Sequence, residues 1–283
     1  MSKNNFTIDL SKFSYAQRQL IVVQEDNVVA ELRAAQNKDI SKGGFDWQSL
    51  AMAAGKSFLA FGLGGAGVVV VKEAYDAWAR ARESGLNILT ISNSEAMALN
   101  LPPGHPRLGT LYVAHPTESL IYYTSASFHR FVFEHKFTEA VGLLMSLGAL
   151  HIEVAHVCGW SREYSGMMGA SIPSCSAEFT ASAKSAQESS ILFKADFDNK
   201  ISPNLPNNLV WYPHEPTWQS IAIGRLNYGM RNFSLDINYQ DDFGVNAGLK
   251  VKAEKAGLDI GGVFENHKLT TWKITGEFGD FSI

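Results

Sequence analysis

Three glycines, Gly62, Gly64 and Gly67, stand in the segment GLGGAG at GxGxxG spacing. In a dinucleotide fold such a loop lets a pyrophosphate approach the backbone N–H groups at a helix N-terminus. The surroundings fit in part, because residues 57–61 read as a strand, 69–84 as a helix and 86–91 as a second strand. The acidic residue that should follow the second strand to hold a ribose is missing. Ser92, Asn93 and Ser94 occupy that place, and Glu95 lies one position too far. Gly62, Gly64 and Gly67 are thus the candidate cofactor-binding residues of one reading. The plainer reading is that glycine and alanine let this segment pack closely or bend. Gly55-Lys56-Ser57 is no P-loop, since Leu50 stands where the loop needs its first glycine.

The other reactive side chains read as structural. His151 and Glu153 match the HxE half of a zinc deaminase site, but the PCxxC half is absent and Pro173-Ser174-Cys175 only approaches it. On a strand these two share a face and form an ordinary surface pair. His156 and Cys158 have the types of a base and a nucleophile without a third group to orient them. Cys158 and Cys175, the only two cysteines, belong to no CxxC and read as free thiols. Phe128, His129, Phe131 and Phe133 read as helix packing with a rim histidine. No catalytic residue is assigned, no metal or cofactor is expected, and the balance leans away from an enzyme.

Composition narrows the class further. The chain has 283 residues with 46% hydrophobic content, enough for one large core. Its 24 basic and 28 acidic residues give a formal charge of -4 with no run of Lys or Arg, so nucleic acid is not an expected partner. The opening MSKNNFTIDLSKF lacks a basic end followed by an apolar core, which reads as synthesis in the cytoplasm. Residues 49–71 have about the length of a membrane span, yet Lys56 and the glycines disfavour a permanent one.

The elements that position these residues follow from periodicity. Phe6, Ile8 and Leu10 alternate as a first strand, and residues 20–23 and 28–32 flank Glu25-Asp26-Asn27 as a hairpin. Helices are expected near residues 69–84, 127–147 and 217–228; Ser127 can cap the second and Gly148 can end it. Residues 99–116 hold a cluster of prolines and read as an extended loop carrying one strand, 108–114. Residues 151–198 read as a long hairpin whose return arm sets Phe179, Ala181 and Ala183 against Glu178, Thr180, Ser182 and Lys184.

From residue 231 to 278 the alternation is strongest. Phe233, Leu235, Ile237 and Tyr239 face one way and Ser234, Asp236, Asn238 and Gln240 the other. Phe243, Val245, Ala247, Leu249, Val251 and Ala253 then oppose Gly244, Asn246, Gly248, Lys250, Lys252 and Glu254. Strands of this kind, with one wet face, are antiparallel. Read as one strand, residues 243–255 exceed the about 9 to 11 residues a membrane-crossing strand needs.

The expected architecture is α+β: a long, bent antiparallel sheet with amphipathic β-hairpins, covered by about three helices. It forms a single domain over residues 1–283, or alternatively two lobes, 1–100 and 117–283, joined by the Pro-rich loop. The leading function is a non-enzymatic effector or assembly protein. Its hairpins, 151–198 and 231–278, oligomerise the chain and, on activation, associate with membrane lipid as a pore. The assembly or membrane face comprises Phe179, Ala181, Val245, Leu249 and Val251, with Lys184, Lys250 and Lys252 on the wet face. The expected partners are further copies of this chain, membrane lipid, and a protein activator or inhibitor. The alternatives are a nucleotide-binding protein or enzyme using residues 62–67, and a soluble regulatory module whose sheet face binds a protein.

Overall fold

A computed structural model describes residues 9–40, 76–160, 191–198 and 202–280. In chain order the principal elements are β1 (Leu20–Gln24), α1 (Asp26–Ile40), α2 (residues 76–83), β2 (Ile88–Ser92), β3 (Leu111–Ala114) and β4 (Tyr122–Thr124). They continue as α3 (Phe128–Ser146), β5 (Ala149–Cys158), β6 (Ile191–Asp196), α4 (Pro216–Tyr228), β7 (Asn232–Tyr239), α5 (Ala247–Ala256) and β8 (Thr270–Phe278). The fold is α+β, with two four-stranded sheets in the orders β2-β1-β3-β4 and β6-β5-β8-β7. The chain divides into two compact units, Met1–His129 with Phe243–Asn266, and Arg130–Asp242 with His267–Ile283.

In the first unit β1 is apolar and buried from Leu20 to Val23 and lies between β2, parallel to it, and β3, antiparallel to it. A parallel pair requires a crossover, and α1 begins it directly after β1. Here the expected hairpin of residues 20–23 and 28–32 is corrected: Val28 and Val29 are buried side chains of α1, not of a strand. Glu25-Asp26-Asn27, read as a turn, opens that helix, where a carboxylate in the first turn favours the dipole. The strand expected through Leu10 gives way to a short 3-10 turn, Leu10–Lys12, and residues 1–8 lie outside those described.

The segment 243–266 belongs to this unit and carries the largest correction. Residues 247–256 form α5, not the outward arm of a hairpin. Asn246 caps its start by accepting from the N–H groups of Gly248 and Leu249, and Gly257 ends it at φ 79° in the left-handed region. Val245, Leu249, Ala253 and Ala256 are buried, a spacing of three to four that suits a helix. Because four is also a multiple of two, the same apolar positions mimicked a strand.

In the second unit the sheet is wholly antiparallel. Helix α3 covers its apolar side: the Phe133 ring meets Trp272 edge-on at 4.8 Å and Tyr239 at 5.9 Å, and Phe137 meets Trp272 at 4.9 Å. Gly148 stops α3 at φ 87°, in agreement with the sequence expectation. Helix α4 buries Trp218, Ile221, Ala222 and Arg225. The Arg225 guanidinium donates to the carbonyls of Leu147, Met230 and Gly279, so a buried cation is satisfied by backbone oxygens. Cys158, at the end of β5, is disulfide-bonded rather than a free thiol. The expectation of a thiol rested on compartment, which local spacing does not report.

Candidate functional site

The outer face of the second unit's sheet is built by strict alternation. In β7 Asn232, Ser234, Asp236 and Asn238 are exposed while Phe233, Leu235, Ile237 and Tyr239 are buried. Across from them on β8 stand Glu277, Thr275, Lys273 and Thr271, in that order. Asp236 therefore faces Lys273, and Thr271 Oγ1 donates to Asn238 Oδ1 at 2.9 Å. Further across the same face the His151 imidazole contacts Asp196 Oδ1 at 2.6 Å, and Lys194 Nζ lies 4.0 Å from Glu153 Oε2. His151 and Glu153 thus share a face, as the sequence implied, but each pairs across to β6 instead of with the other. The face is polar and balanced. It holds no nucleophile beside an oriented base, and among the described residues no three His, Cys, Asp or Glu side chains gather as a metal site requires.

Among the described residues the same sheet ends at β7, with no strand paired to its outer side. Arg231 O accepts from Phe278 N, which fixes the odd-numbered residues of β7 as those hydrogen-bonded to β8. The backbone N–H and C=O groups of Asn232, Ser234, Asp236 and Asn238 therefore point away from it. Among the described residues one of them is taken: Lys136 Nζ donates to Asn238 O at 2.9 Å. Lys136 is buried and also ion-paired with Glu215. One helical turn further along α3, Glu139 accepts the backbone N–H groups of Val210, Trp211 and Tyr212 at 2.7 to 2.9 Å. It thereby fixes the loop that leads into α4.

The first unit holds a second polar cluster, which sequence reading missed. The buried Tyr112 hydroxyl accepts the Arg107 N–H at 2.7 Å and lies 2.6 Å from His105 Nδ1. Beside it, Thr110 Oγ1 donates to Asp259 Oδ2 at 3.1 Å. Burial, with the Arg107 cation adding to it, holds the His105 imidazole below its usual pKa against the opposing pull of Asp259. Burial likewise raises the Tyr112 phenol. The effect is to staple the Pro-rich loop to β3. At the carboxyl ends of β1 and β2, where open α/β sheets bind ligands, the side chains satisfy one another. Asp26 accepts from Ser94 N and Oγ, which lowers its pKa, and Arg33 makes a two-pronged pair with Glu95 at 2.8 and 2.9 Å. Ser92 and Glu95, set against the missing ribose carboxylate in sequence, form the capping box of a short helix, Asn93–Ala96.

Of the expected site residues only Val245, Leu249 and Val251 are described. Gly62, Gly64 and Gly67 lie outside the described residues, as do Phe179, Ala181 and Lys184. Among the described residues the parallel partner of β2 is β1, which Glu25 and Asp26 follow. Val245 and Leu249 are buried within the first unit and Val251 is exposed on α5, so these three do not form one strand face; Lys250 and Lys252 likewise belong to that helix. Among the described residues no helix is long and apolar enough to cross a membrane. No protein-family model, curated protein or solved structure matches the chain.

Proposed function

We propose that this chain is a non-enzymatic assembly protein whose second unit supplies the docking element. The observation that carries the reading is β7, a regular strand at the margin of an antiparallel sheet, with its apolar side filled by α3 and its outward backbone groups largely unpaired among the described residues. Such an edge is a template for another strand, and main-chain pairing there gives affinity without a catalytic centre. The balanced polar face supports the same role, because it makes a wet interface possible without a net field. Assembly through this sheet replaces the bilayer insertion expected of residues 231–278, since that expectation needed residues 243–255 to be a strand.

Sedimentation velocity over a wide concentration range, run beside a dye-leakage assay on liposomes, tests the proposal. The expected result is a mass that rises with concentration, with no leakage. A chain that stays monomeric throughout would overturn it.

A further inference from the structure

We infer that β7 pairs antiparallel with β7 of a second copy of this chain, about a two-fold axis at Leu235, joining two four-stranded sheets into one. The inference rests on the proposal that this sheet is the assembly element, and it names both the partner and the register.

Three observations carry it. First, β7 carries few of the usual guards of an edge: it contains no proline and no lysine of its own, its pairing with β8 runs without a bulge, and among the described residues only Lys136 reaches its outward backbone, at Asn238. Its single charge, Asp236, already faces Lys273 within the sheet. Second, the strand is self-complementary in one register. About Leu235, Ser234 meets Asp236 and Asn232 meets Asn238, each pair occurring twice by symmetry. All four are residues whose backbone groups point outward, so each Ser234–Asp236 pair can exchange two main-chain hydrogen bonds, and in each Asn232–Asn238 pair the Asn238 N–H can donate to the Asn232 carbonyl. The Ser234 hydroxyl can donate to the partner carboxylate of Asp236. On the opposite face Leu235 meets its own copy and Phe233 meets Ile237, so apolar stays against apolar. Third, neighbouring registers are worse. An axis at Asp236 sets two carboxylates opposite each other. An axis at Ile237 brings Asn238, whose carbonyl already holds the Lys136 ammonium, to the centre of the junction. The Leu235 axis leaves that carbonyl at the outer ends.

The test uses the full chain and three variants, with sedimentation equilibrium for association and thermal melting as the check on folding. Ser234→Pro removes an outward N–H and leaves the ladder to β8 intact, since proline is tolerated where the N–H faces away from the sheet. Ser234→Glu opposes two like charges in the inferred register, and Ser234→Lys opposes a lysine to the partner's Asp236. The expected result is a wild-type dimer, a folded but monomeric Ser234→Pro, an association at least about tenfold weaker for Ser234→Glu, and none lost for Ser234→Lys. A dimer that Ser234→Pro and Ser234→Glu leave unchanged would overturn the pairing while sparing the assembly role. Equal weakening by Glu and Lys would overturn the register. A wild-type monomer at every concentration would overturn both proposals. If Ser234→Pro does not fold, the Glu and Lys pair decides the outcome.

Discussion

Tyr112 and Glu139 each gather irregular chain onto one side chain, and their energetics can be measured singly. Glu139→Ala strips the acceptor from the N–H groups of Val210, Trp211 and Tyr212 and should cost about 2–4 kcal/mol in chemical denaturation, with Glu139→Gln losing less because one oxygen remains. A loss within error of zero would show that water replaces the carboxylate freely. Tyr112→Phe should cost about 1–2 kcal/mol, since the Arg107 N–H loses its acceptor. The titrating groups set a pH window. Burial holds both His105 and His267 below the usual histidine value, the latter against Asp242 and Asp241. The unfolded chain then binds protons first, so stability is full above about pH 6.5 and declines as pH falls through that value. Tyr122, pushed up to about 12 by burial, has the opposite sign: its contribution is full below about pH 10 and lost as pH rises toward 12. Unfolding free energy measured from pH 4 to 11 should show both flanks; a flat acid flank would contradict the histidine assignment. None of these contacts was legible in sequence. Glu139 and its partners are joined by the fold across 71 to 73 positions, and no local pattern marks such a pair.

At the scale of elements, legibility followed whether one periodicity excluded the other. Helix α3 was readable because Phe133, Ala140 and Leu144 fit a helical stripe and no strand, and Gly148 closes it. Strand β7 was readable because its alternation admits no helical stripe. Residues 243–255 satisfied both patterns, and the decision lay in the caps, Asn246 and Gly257, which an alternation-led reading passed over. Asn246→Ala should therefore destabilise the chain by about 1 kcal/mol in denaturation, with Asn246→Asp nearly neutral. Equal losses for the two would contradict the capping role. Residues 26–32 failed for a different reason. The dipole-favouring Asp26 was read as turn chemistry, and only the parallel pairing of β1 with β2 shows that a crossover had to start there. Close approach constrains β8 as well. A Cβ on Gly276 would run into the His151 carbonyl and the Phe233 ring, so Gly276→Ala should disrupt the sheet that carries the candidate surface.

For the whole molecule, the α+β class followed from composition and mixed periodicity, but the grouping of the elements did not. The first unit takes back residues 243–266 after the chain has built most of the second, and no shift in composition marks either crossing. The glycine-rich segment 62–67 and the small-residue segment 177–183 stand out in sequence because their residue types are unusual, and both lie outside the described residues. What the described structure offers for function is instead a plain strand in an exceptional place, the margin of a sheet. Hydrogen exchange resolved at single amides, followed over a dilution series, tests this most directly. The account predicts that Ser234, Asp236 and Asn238 gain protection as concentration rises, while Phe233, Leu235 and Ile237, already bonded to β8, do not change. If the three edge amides exchange as fast in the most concentrated sample as in the most dilute, β7 is not a docking edge and the assembly role loses its support.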